Sequence, residues 1–177
     1  FLSHYYISNT EIKNCKIAVS PKSSFINSSD ISLLKIDDIN SIAHIEPENI
    51  PSKSIEYIKN RYLEHPFYKY SAYIIDGNGL IIITRKISVG TSSAIRIIDA
   101  IGDSALLEKA ASKIANIAID EKAGYIDLMV AGENSESLIN AGWQLLNHEG
   151  EETIIPNYFE PFEQKNVQVR FAFKLLN

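Results

Sequence analysis

The sequence predicts a soluble, single-domain protein of the α/β (α+β) class, and three observations support this prediction. A chain of 177 residues fits one domain, and a hydrophobic content of 45% supplies a sizeable core. Isoleucine is frequent, and β-branched residues favour strands. From residue 50 onward, short strand-like runs alternate with segments of helical periodicity. No apolar run approaches the ~20 residues that a membrane-spanning helix needs.

The first 45 residues predict strands and a surface loop. Tyr5 to Ile7 and Lys16 to Val19 are strand-like, and residues 20–30 are rich in Ser, Asn, Pro and Lys. Residues 31–45 fit a strand followed by a helical turn, and their pattern does not decide between the two. Residues 1–45 are therefore either part of the same fold as residues 46–177 or the end of a preceding domain. Because the chain begins at Phe1 rather than Met, we expect it to be a fragment of a longer protein.

The next segment predicts a helix followed by an antiparallel meander. Ser52 stands at an N-cap position, Ser54 to Leu63 has helical spacing, and Pro66 ends the helix. Strands are predicted at Tyr70–Ile75, Leu80–Ile87 and Ala94–Ala100. The turn between the first two, Asp76-Gly77-Asn78-Gly79, contains the residues that a tight hairpin needs.

The remaining elements are dominated by one long helix. Its apolar residues recur at helical spacing from Ala105 to Lys122, with Gly102-Asp103-Ser104 before it and Gly124 after it. The elements that follow are a strand at Tyr125–Val130, a short helix at Ser135–Ala141, a strand at Trp143–Leu146, a polar and aromatic loop at residues 147–166 and a final strand at Val167–Leu175.

Charge, cysteine and histidine content disfavour several functional classes. The formal net charge is −5, from 22 acidic and 17 basic residues, and this disfavours non-specific binding to nucleic acid. The single cysteine, Cys15, excludes an intrachain disulfide and fits a small apolar residue in a strand. The four histidines are scattered without the spacing of metal ligands, so no metal is expected. The chain contains no P-loop, nucleophile elbow or dinucleotide fingerprint.

The order of elements from residue 50 onward resembles the fold of the GNAT superfamily of N-acetyltransferases. In that family an antiparallel meander leads into a long helix, a parallel strand follows, and a shorter helix and a hairpin close the domain. Here Trp143–Leu146 and Val167–Leu175 would form the closing hairpin of a central mixed, mostly antiparallel sheet. Two phrases, Arg61-Tyr62-Leu63-Glu64-His65-Pro66 and Pro156-Asn157-Tyr158-Phe159-Glu160-Pro161-Phe162, are similar to phrases in bacterial GNAT-like proteins of surface-polysaccharide gene clusters.

The resemblance implies a cytoplasmic enzyme that moves an acyl group from acetyl-CoA or another acyl-CoA to a small-molecule amine, with an amino sugar as a candidate acceptor. In the family, the turn before the long helix binds the cofactor pyrophosphate through free backbone N–H groups. The matching residues here are Ile101, Gly102, Asp103 and Ser104. Only Gly102 fits the family pattern well, and Asp103 places a carboxylate where the pyrophosphate would lie. Alternatively, Asp103 or Ser104 simply caps the helix.

Two residues are candidates for proton transfer. The family's general acid is often a Tyr on or after the shorter helix, and the nearest one here is Tyr158 in the long loop. His65 lies beside Tyr68 and Tyr70 in the sequence and is a candidate general base. Packing is the alternative role for Tyr158, and for His65 the alternative is a hydrogen bond to a carbonyl at the helix end.

Three arginines, Arg61, Arg85 and Arg96, are candidates for substrate binding. Arg85 and Arg96 lie on adjacent strands of the predicted meander, and if both point to one face they can bind a carboxylate or a phosphate of the substrate. The alternative is an ion pair with Asp99 or Glu108.

Three functional hypotheses follow from these residues. The first is an N-acyltransferase, in which direct attack by the amine requires positioning, a base and a clamp for the thioester rather than a protein nucleophile. The second is a non-catalytic GNAT-like module for binding or scaffolding within a larger protein, which the Asp103 carboxylate and the fragment-like start favour. A donor such as aminoacyl-tRNA is a third hypothesis, and the acidic net charge disfavours it. The sequence predicts no membrane insertion and does not indicate an oligomeric state.

Overall fold

The computed structural model describes residues 2–9, 31–36, 53–77, 79–131, 135–150, 153–156 and 165–170. The predicted strand at Lys16–Val19, Cys15 and Tyr158 lie outside these described residues. The described residues form a mixed sheet with short helices packed against it, so the fold class is α+β.

Seven strands form the sheet in the order β2-β3-β4-β5-β6-β1-β7. Their bounds are β1 Ser3–Ser8, β2 Leu33–Ile36, β3 Ser71–Ile75, β4 Leu80–Val89, β5 Ser92–Gly102, β6 Tyr125–Val130 and β7 Gln144–Leu145. Neighbouring strands are antiparallel except for β5 and β6, which are parallel. The prediction of a mixed, mostly antiparallel sheet that contains a three-stranded meander is therefore confirmed.

A β-bulge interrupts the pairing of β4 with β5. Ile83 pairs with Asp99, and Thr84 pairs with Ile97. Ile98 is therefore the extra residue on β5. Bulges redirect side chains and are frequent next to active sites.

The first strand of the chain lies inside the sheet, between β6 and β7. Tyr5 is opposite Leu128 on one side and Leu145 on the other. In the described residues the partner of β7 is therefore β1 rather than the predicted Val167–Leu175. Residues 167–170 form no strand, and the rest of that predicted strand lies outside the described residues. β1 is suited to an interior position because its side chains from His4 to Ser8 are all buried there, whereas an edge strand exposes one side to solvent.

The helix before the meander begins later than predicted and is irregular. Helix α1 spans Ile55–Ile58 and continues into a π-helical turn at Lys59–Leu63. The N-cap is Ser54, whose Oγ accepts a hydrogen bond from the amide of Tyr57 at 3.0 Å. The predicted cap, Ser52, lies outside the described residues.

The predicted long helix is divided into two. Helix α2 spans Ala105–Lys109 and α3 spans Ala111–Asp120, and Ala110 between them has φ −94° and ψ 7°. The short helix α4 spans Ser135–Asn140, as predicted to within a residue. Among the helices that the structure describes, none combines the length and the apolar content needed to cross a bilayer.

The two faces of the sheet are covered by different elements. On the first, which we call the helix-side face, strand residues such as Ile82 and Ile126 belong to one apolar cluster with Ile114 of α3. On the second, which we call the polar face, α1 and the π-helical turn cover the β3–β4 half, where Tyr62 belongs to the apolar cluster. Ile155 covers the β1–β6 half of that face. The polar face is thus covered from two sides by separate segments.

Candidate functional site on the polar face

Charged side chains form a row across the polar face. Arg85 on β4 is directly opposite Arg96 on β5, and Arg96 is directly opposite Asp127 on β6. Residues opposite one another in a sheet share a face, so these three side chains point the same way. His4 on β1 extends the row, because its ring reaches Asp127. Arg85 and Arg96 therefore share one face, which is the condition for the two arginines to bind one anion together.

Three members of this row form a buried network. His4 Nε2 lies 2.9 Å from Asp127 Oδ2, and Arg96 Nε lies 3.7 Å from the same oxygen. Arg96 also donates a hydrogen bond to the carbonyl of Pro156. Both carboxylate and imidazole are fully buried. Burial and the neighbouring His4 lower the pKa of His148 below its ordinary value. Since buried charges need partners, the network connects β1, β5, β6 and the segment at 153–156.

A single asparagine organises the loop that ends at this network. The Asn166 side-chain amide donates to the carbonyls of Asn147, Gly150 and Thr153 at 3.1, 3.0 and 2.7 Å. Its Oδ1 accepts a hydrogen bond from the amide of Ile155 at 3.0 Å. Asn166 thereby fixes the segment that closes one side of the polar face.

A second polar group of this face is centred on Asp99, beside the bulge. Lys53 Nζ lies 2.6 and 2.5 Å from the two carboxylate oxygens, and the Tyr62 hydroxyl donates to Oδ2 at 2.7 Å. Burial first, and then the hydrogen bond to Asp99 and its charge, raise the pKa of Tyr62 above its ordinary value, so the phenol remains a donor. The side chains of Asp99 and Lys53 are 12% and 26% exposed, so this group is partly open to solvent.

Aromatic side chains connect Asp99 with Arg85. This aromatic wall consists of Tyr62, Tyr70, His65 and Tyr68. Tyr62 contacts Tyr70 edge to face at 5.3 Å, and His65 lies 5.7 Å from Tyr70 and 5.1 Å from Tyr68 between ring centroids. The guanidinium of Arg85 lies 3.8 Å from the centroid of the Tyr68 ring. Asp99 and Arg85 therefore stand at the two ends of one continuous wall.

His65, the candidate general base, is held by the backbone that follows it. Its Nδ1 accepts hydrogen bonds from the amides of Phe67 and Tyr68 at 3.2 and 3.0 Å. The expected alternative, donation to a carbonyl at the helix end, is replaced by acceptance from these two amides. In the neutral ring the proton is therefore on Nε2, which can donate a hydrogen bond to a ligand but is not placed to accept a proton from one.

The parallel strands β5 and β6 stop pairing close to Asp99. Their ladder ends at Ile97 and Leu128, immediately before the bulge residue Ile98. In open sheets, ligands bind outside the carboxyl ends of parallel strands, where neighbouring strands and their connections separate. Asp99 is the residue after the bulge, so its carboxylate stands at the position where such a crevice begins.

The turn predicted to bind a pyrophosphate makes most of its hydrogen bonds within the protein. The Asp103 amide donates to the Gly79 carbonyl at 2.8 Å, and the Ala105 amide donates to Asp103 Oδ1 at 2.9 Å. Gly102 has φ +121°, and a Cβ at this position would collide with the Gly79 carbonyl. The β3–β4 turn therefore packs directly against this turn.

The side chains of this turn also do not favour an anion. Asp103 caps the Ala105 amide, which is the helix-cap role considered for it above. Ser104 makes no side-chain cap, and Ile101 is fully buried in the apolar cluster under α1. With two amides bonded to protein oxygens and an exposed carboxylate at its centre, the turn as arranged does not fit a pyrophosphate.

Other sequence candidates lie apart from the polar row or outside the described residues. Arg61 is exposed, and its guanidinium lies 5.6 Å from the Tyr62 ring centroid. Asp99 pairs with Lys53, and Glu108 accepts a hydrogen bond from Ser137. In the described part of the chain, no group of three or more His, Cys, Asp or Glu side chains is placed to hold a metal ion.

A groove of about 360 Å³ lies at the edge of the helix-side face, between β2, β3 and α3. Lys35 Nζ lies 3.5 Å from Glu121 Oε1 and 5.9 Å from the Tyr73 ring centroid. Burial raises the pKa of Tyr73 to about 12, and the charges of Glu121 and Asp120 add to the effect. The lining contains two lysines and two acidic residues, so the groove favours neither anions nor cations.

No protein-family model matches this chain, and no curated protein matches it. Among solved structures, the chain is similar to a conserved protein from Staphylococcus epidermidis described as functionally unknown, with 12% sequence identity and a TM-score of 0.46. The alignment covers 82% of this chain, and this chain spans only 57% of that protein.

Proposed function

We propose that this chain is a GNAT-type N-acyltransferase domain that binds an acceptor amine at Asp99. The main support is the order of elements around this carboxylate, which is the order expected of such a fold. It runs from the meander β3–β5 through the helices α2 and α3 and the parallel strand β6 to the helix α4. The bulge at Ile98 and the end of the β5–β6 ladder place Asp99 where a ligand crevice would begin.

Asp99 is suited to an ammonium ligand. Lys53 already supplies one, with both carboxylate oxygens within hydrogen-bonding distance, so Lys53 stands in for the acceptor amine. The hydrogen bond from Tyr62 fixes the orientation of the carboxylate. Because Lys53 is 26% exposed, a substrate amine can replace its ammonium without a buried charge being left unpaired.

The chain contributes positioning rather than a covalent intermediate. Asp99 orients the amine, and a base must take a proton from the nitrogen as the new amide bond forms. His65 does not fit this role as arranged, because its Nδ1 accepts from two amides and the proton of the neutral ring is then on Nε2. Tyr70 and Tyr62 also stand between the His65 ring and Asp99. Water at the partly exposed Asp99 group takes the proton, and the departing thiolate leaves as the free thiol.

A non-catalytic amine-binding module is the second candidate function. The favouring observation is the turn at 101–104, where the amides of Asp103 and Ala105 already bond to protein oxygens. A domain that keeps the GNAT architecture and this occupied turn would bind amines without an acyl-CoA donor.

Calorimetric titration of acetyl-CoA into the unaltered protein and into Asp103→Ala tests the two candidates. Asp103→Ala removes the exposed carboxylate and frees the Ala105 amide, so we expect acetyl-CoA to bind this variant roughly three- to tenfold more tightly. Glu149→Ala is the matched control, because it removes an exposed carboxylate away from the turn.

Acyl transfer is measured as the release of free thiol from acetyl-CoA when butylamine is the acceptor. Thiol release by the unaltered protein, lost in Asp99→Asn, supports the acyltransferase. If acetyl-CoA binds neither the folded unaltered protein nor the folded Asp103→Ala and Glu149→Ala variants, the acyltransferase proposal is overturned and the non-catalytic module is left.

A further inference from the structure

We propose that the acceptor carries an anionic group as well as its amine, and that Arg85 binds this group while Asp99 binds the amine. This inference rests on the proposed function, because it assigns the second half of the same site. Ile83 pairs with Asp99, and Arg85 lies two residues further along β4 on the same face. From ordinary strand spacings, the Cα atoms of Arg85 and Asp99 are about 8 Å apart. A small molecule can span this separation.

Arg85 has the properties of an anion-binding group. It is half-buried, yet the described residues offer its guanidinium neither a carboxylate nor a hydrogen-bond acceptor. Its guanidinium carbon lies 3.8 Å from the centroid of the Tyr68 ring, which provides a cation–π interaction. The ring is not a hydrogen-bond acceptor for the whole fork of five N–H donors, and this fork binds a carboxylate or a phosphate through two bonds.

The opposite residue strengthens this assignment. Arg96 stands directly across from Arg85, and like charges in this position destabilise a sheet unless they are compensated. Asp127 compensates Arg96 from the neighbouring strand. Among the residues that the structure describes, the compensated arginine of the pair is Arg96, so the excess positive charge lies at Arg85, where it attracts an anion.

Arg61 provides an internal comparison. It also lies over a tyrosine ring, but at 5.6 Å, and it is exposed on the π-helical turn rather than placed on the sheet face. Two arginines of the same chain thus both contact aromatic rings, and Arg85 alone of these two is cross-strand to a second arginine and at the end of the aromatic wall.

Binding of small probes to the whole chain, without an acyl donor, tests the inference. Calorimetry or NMR would compare γ-aminobutyrate, phosphoethanolamine and butylamine, which share an amine and differ in the anionic group. We expect the better of the two anionic probes to bind the unaltered protein roughly tenfold more tightly than butylamine. Arg85→Gln removes this advantage, Arg85→Lys keeps part of it because Lys retains the charge without the fork, and Arg61→Gln keeps all of it.

The outcomes separate this inference from the proposed function. If butylamine binds but neither anionic probe binds more tightly, the amine site remains and the anion site is overturned. If the advantage persists in folded Arg85→Gln, or is lost equally in Arg61→Gln, the assignment to Arg85 is wrong. If no probe binds, the amine site at Asp99 falls with it. A preference for phosphoethanolamine identifies a phosphate, and a preference for γ-aminobutyrate identifies a carboxylate.

Discussion

The buried network and the Asp99 group lie on the same face of one sheet and use the same kinds of side chain, yet they differ in access to solvent. In the network, His4 and Asp127 are fully buried and their contacts join strands that are distant in sequence. In the Asp99 group, the carboxylate and the Lys53 ammonium are partly exposed and lie beside a bulge and the end of a ladder.

This difference separates two uses of charge. When a partner of a fully buried carboxylate is removed, the free energy of unfolding falls by several kcal/mol. Exchange of that partner with a ligand is therefore too costly, and the role of the carboxylate is to hold strands together. For a partly exposed carboxylate the decrease in the free energy of unfolding is smaller, because water replaces the missing partner. Asp127 therefore stabilises the fold, and Asp99 is the acidic residue of this face that belongs to the candidate site.

The strongest test of this comparison is Asp127→Asn. The substitution removes the buried charge that compensates Arg96 and changes the hydrogen-bond partner of His4, so we expect the free energy of unfolding to fall by about 3–5 kcal/mol. Urea denaturation followed by circular dichroism measures this loss. A decrease below about 1 kcal/mol would show that water reaches the network and that the distinction is wrong.

The second test is Asp99→Asn, which makes the same chemical change on the neighbouring strand β5. The amide keeps its shape and can still accept from Tyr62, and the freed Lys53 ammonium can reach solvent. We expect a loss of about 1–2 kcal/mol in the same urea experiment, clearly less than for Asp127→Asn. Equal losses for the two variants would remove the argument for exchange at Asp99.

The third test uses Tyr73, at the edge of the otherwise apolar helix-side face. Its folded-state pKa of about 12 exceeds the ordinary value of 10.0, so the unfolded chain loses the phenolic proton first. The stability that this group provides is present below pH 10 and is lost as the pH rises through 12. At the midpoint of this window the expected loss is about 1 kcal/mol.

The pH dependence is measured by urea denaturation of the unaltered protein and of Tyr73→Phe across this window. Tyr73→Phe should lose less stability with rising pH, and Tyr57→Phe, which changes an exposed tyrosine, should follow the unaltered protein. Identical pH profiles for Tyr73→Phe and the unaltered protein would show that the groove does not perturb this phenol.

Local patterns in the sequence predict most strands of the fold. The bounds of β6 agree with the prediction at both ends, and the hairpin between β3 and β4 follows from Asp76-Gly77-Asn78-Gly79. The break at Ala110 was not predicted, because alanine is the residue most compatible with an uninterrupted helix. The place of β1 inside the sheet was not predicted either, since no local pattern states which distant strands will pair.

The candidate site is less accessible to sequence reasoning, because its contacts join distant segments. Lys53 and Asp99 are 46 residues apart, and the residues beside each of them give no indication that the two form an ion pair. Asp127 carried a signal that could have been used: a carboxylate between Ile126 and Leu128 in a buried strand requires a partner. The position of Arg85 and Arg96 on adjacent strands was predicted, but their direct pairing and the contact of Arg85 with Tyr68 depend on the register of the strands, which no local pattern specifies.

The interior position of β1 has a consequence for how the chain reaches its native state. The contact between His4 and Asp127 closes a sequence separation of 123 residues, and β7, the other neighbour of β1, lies further still along the chain. During synthesis β1 must therefore wait until β6 and β7 have emerged, while its unpaired backbone groups can associate with other chains. Topologies with such long-range closure fold slowly, so recovery of native protein should improve when a holding chaperone is supplied during synthesis.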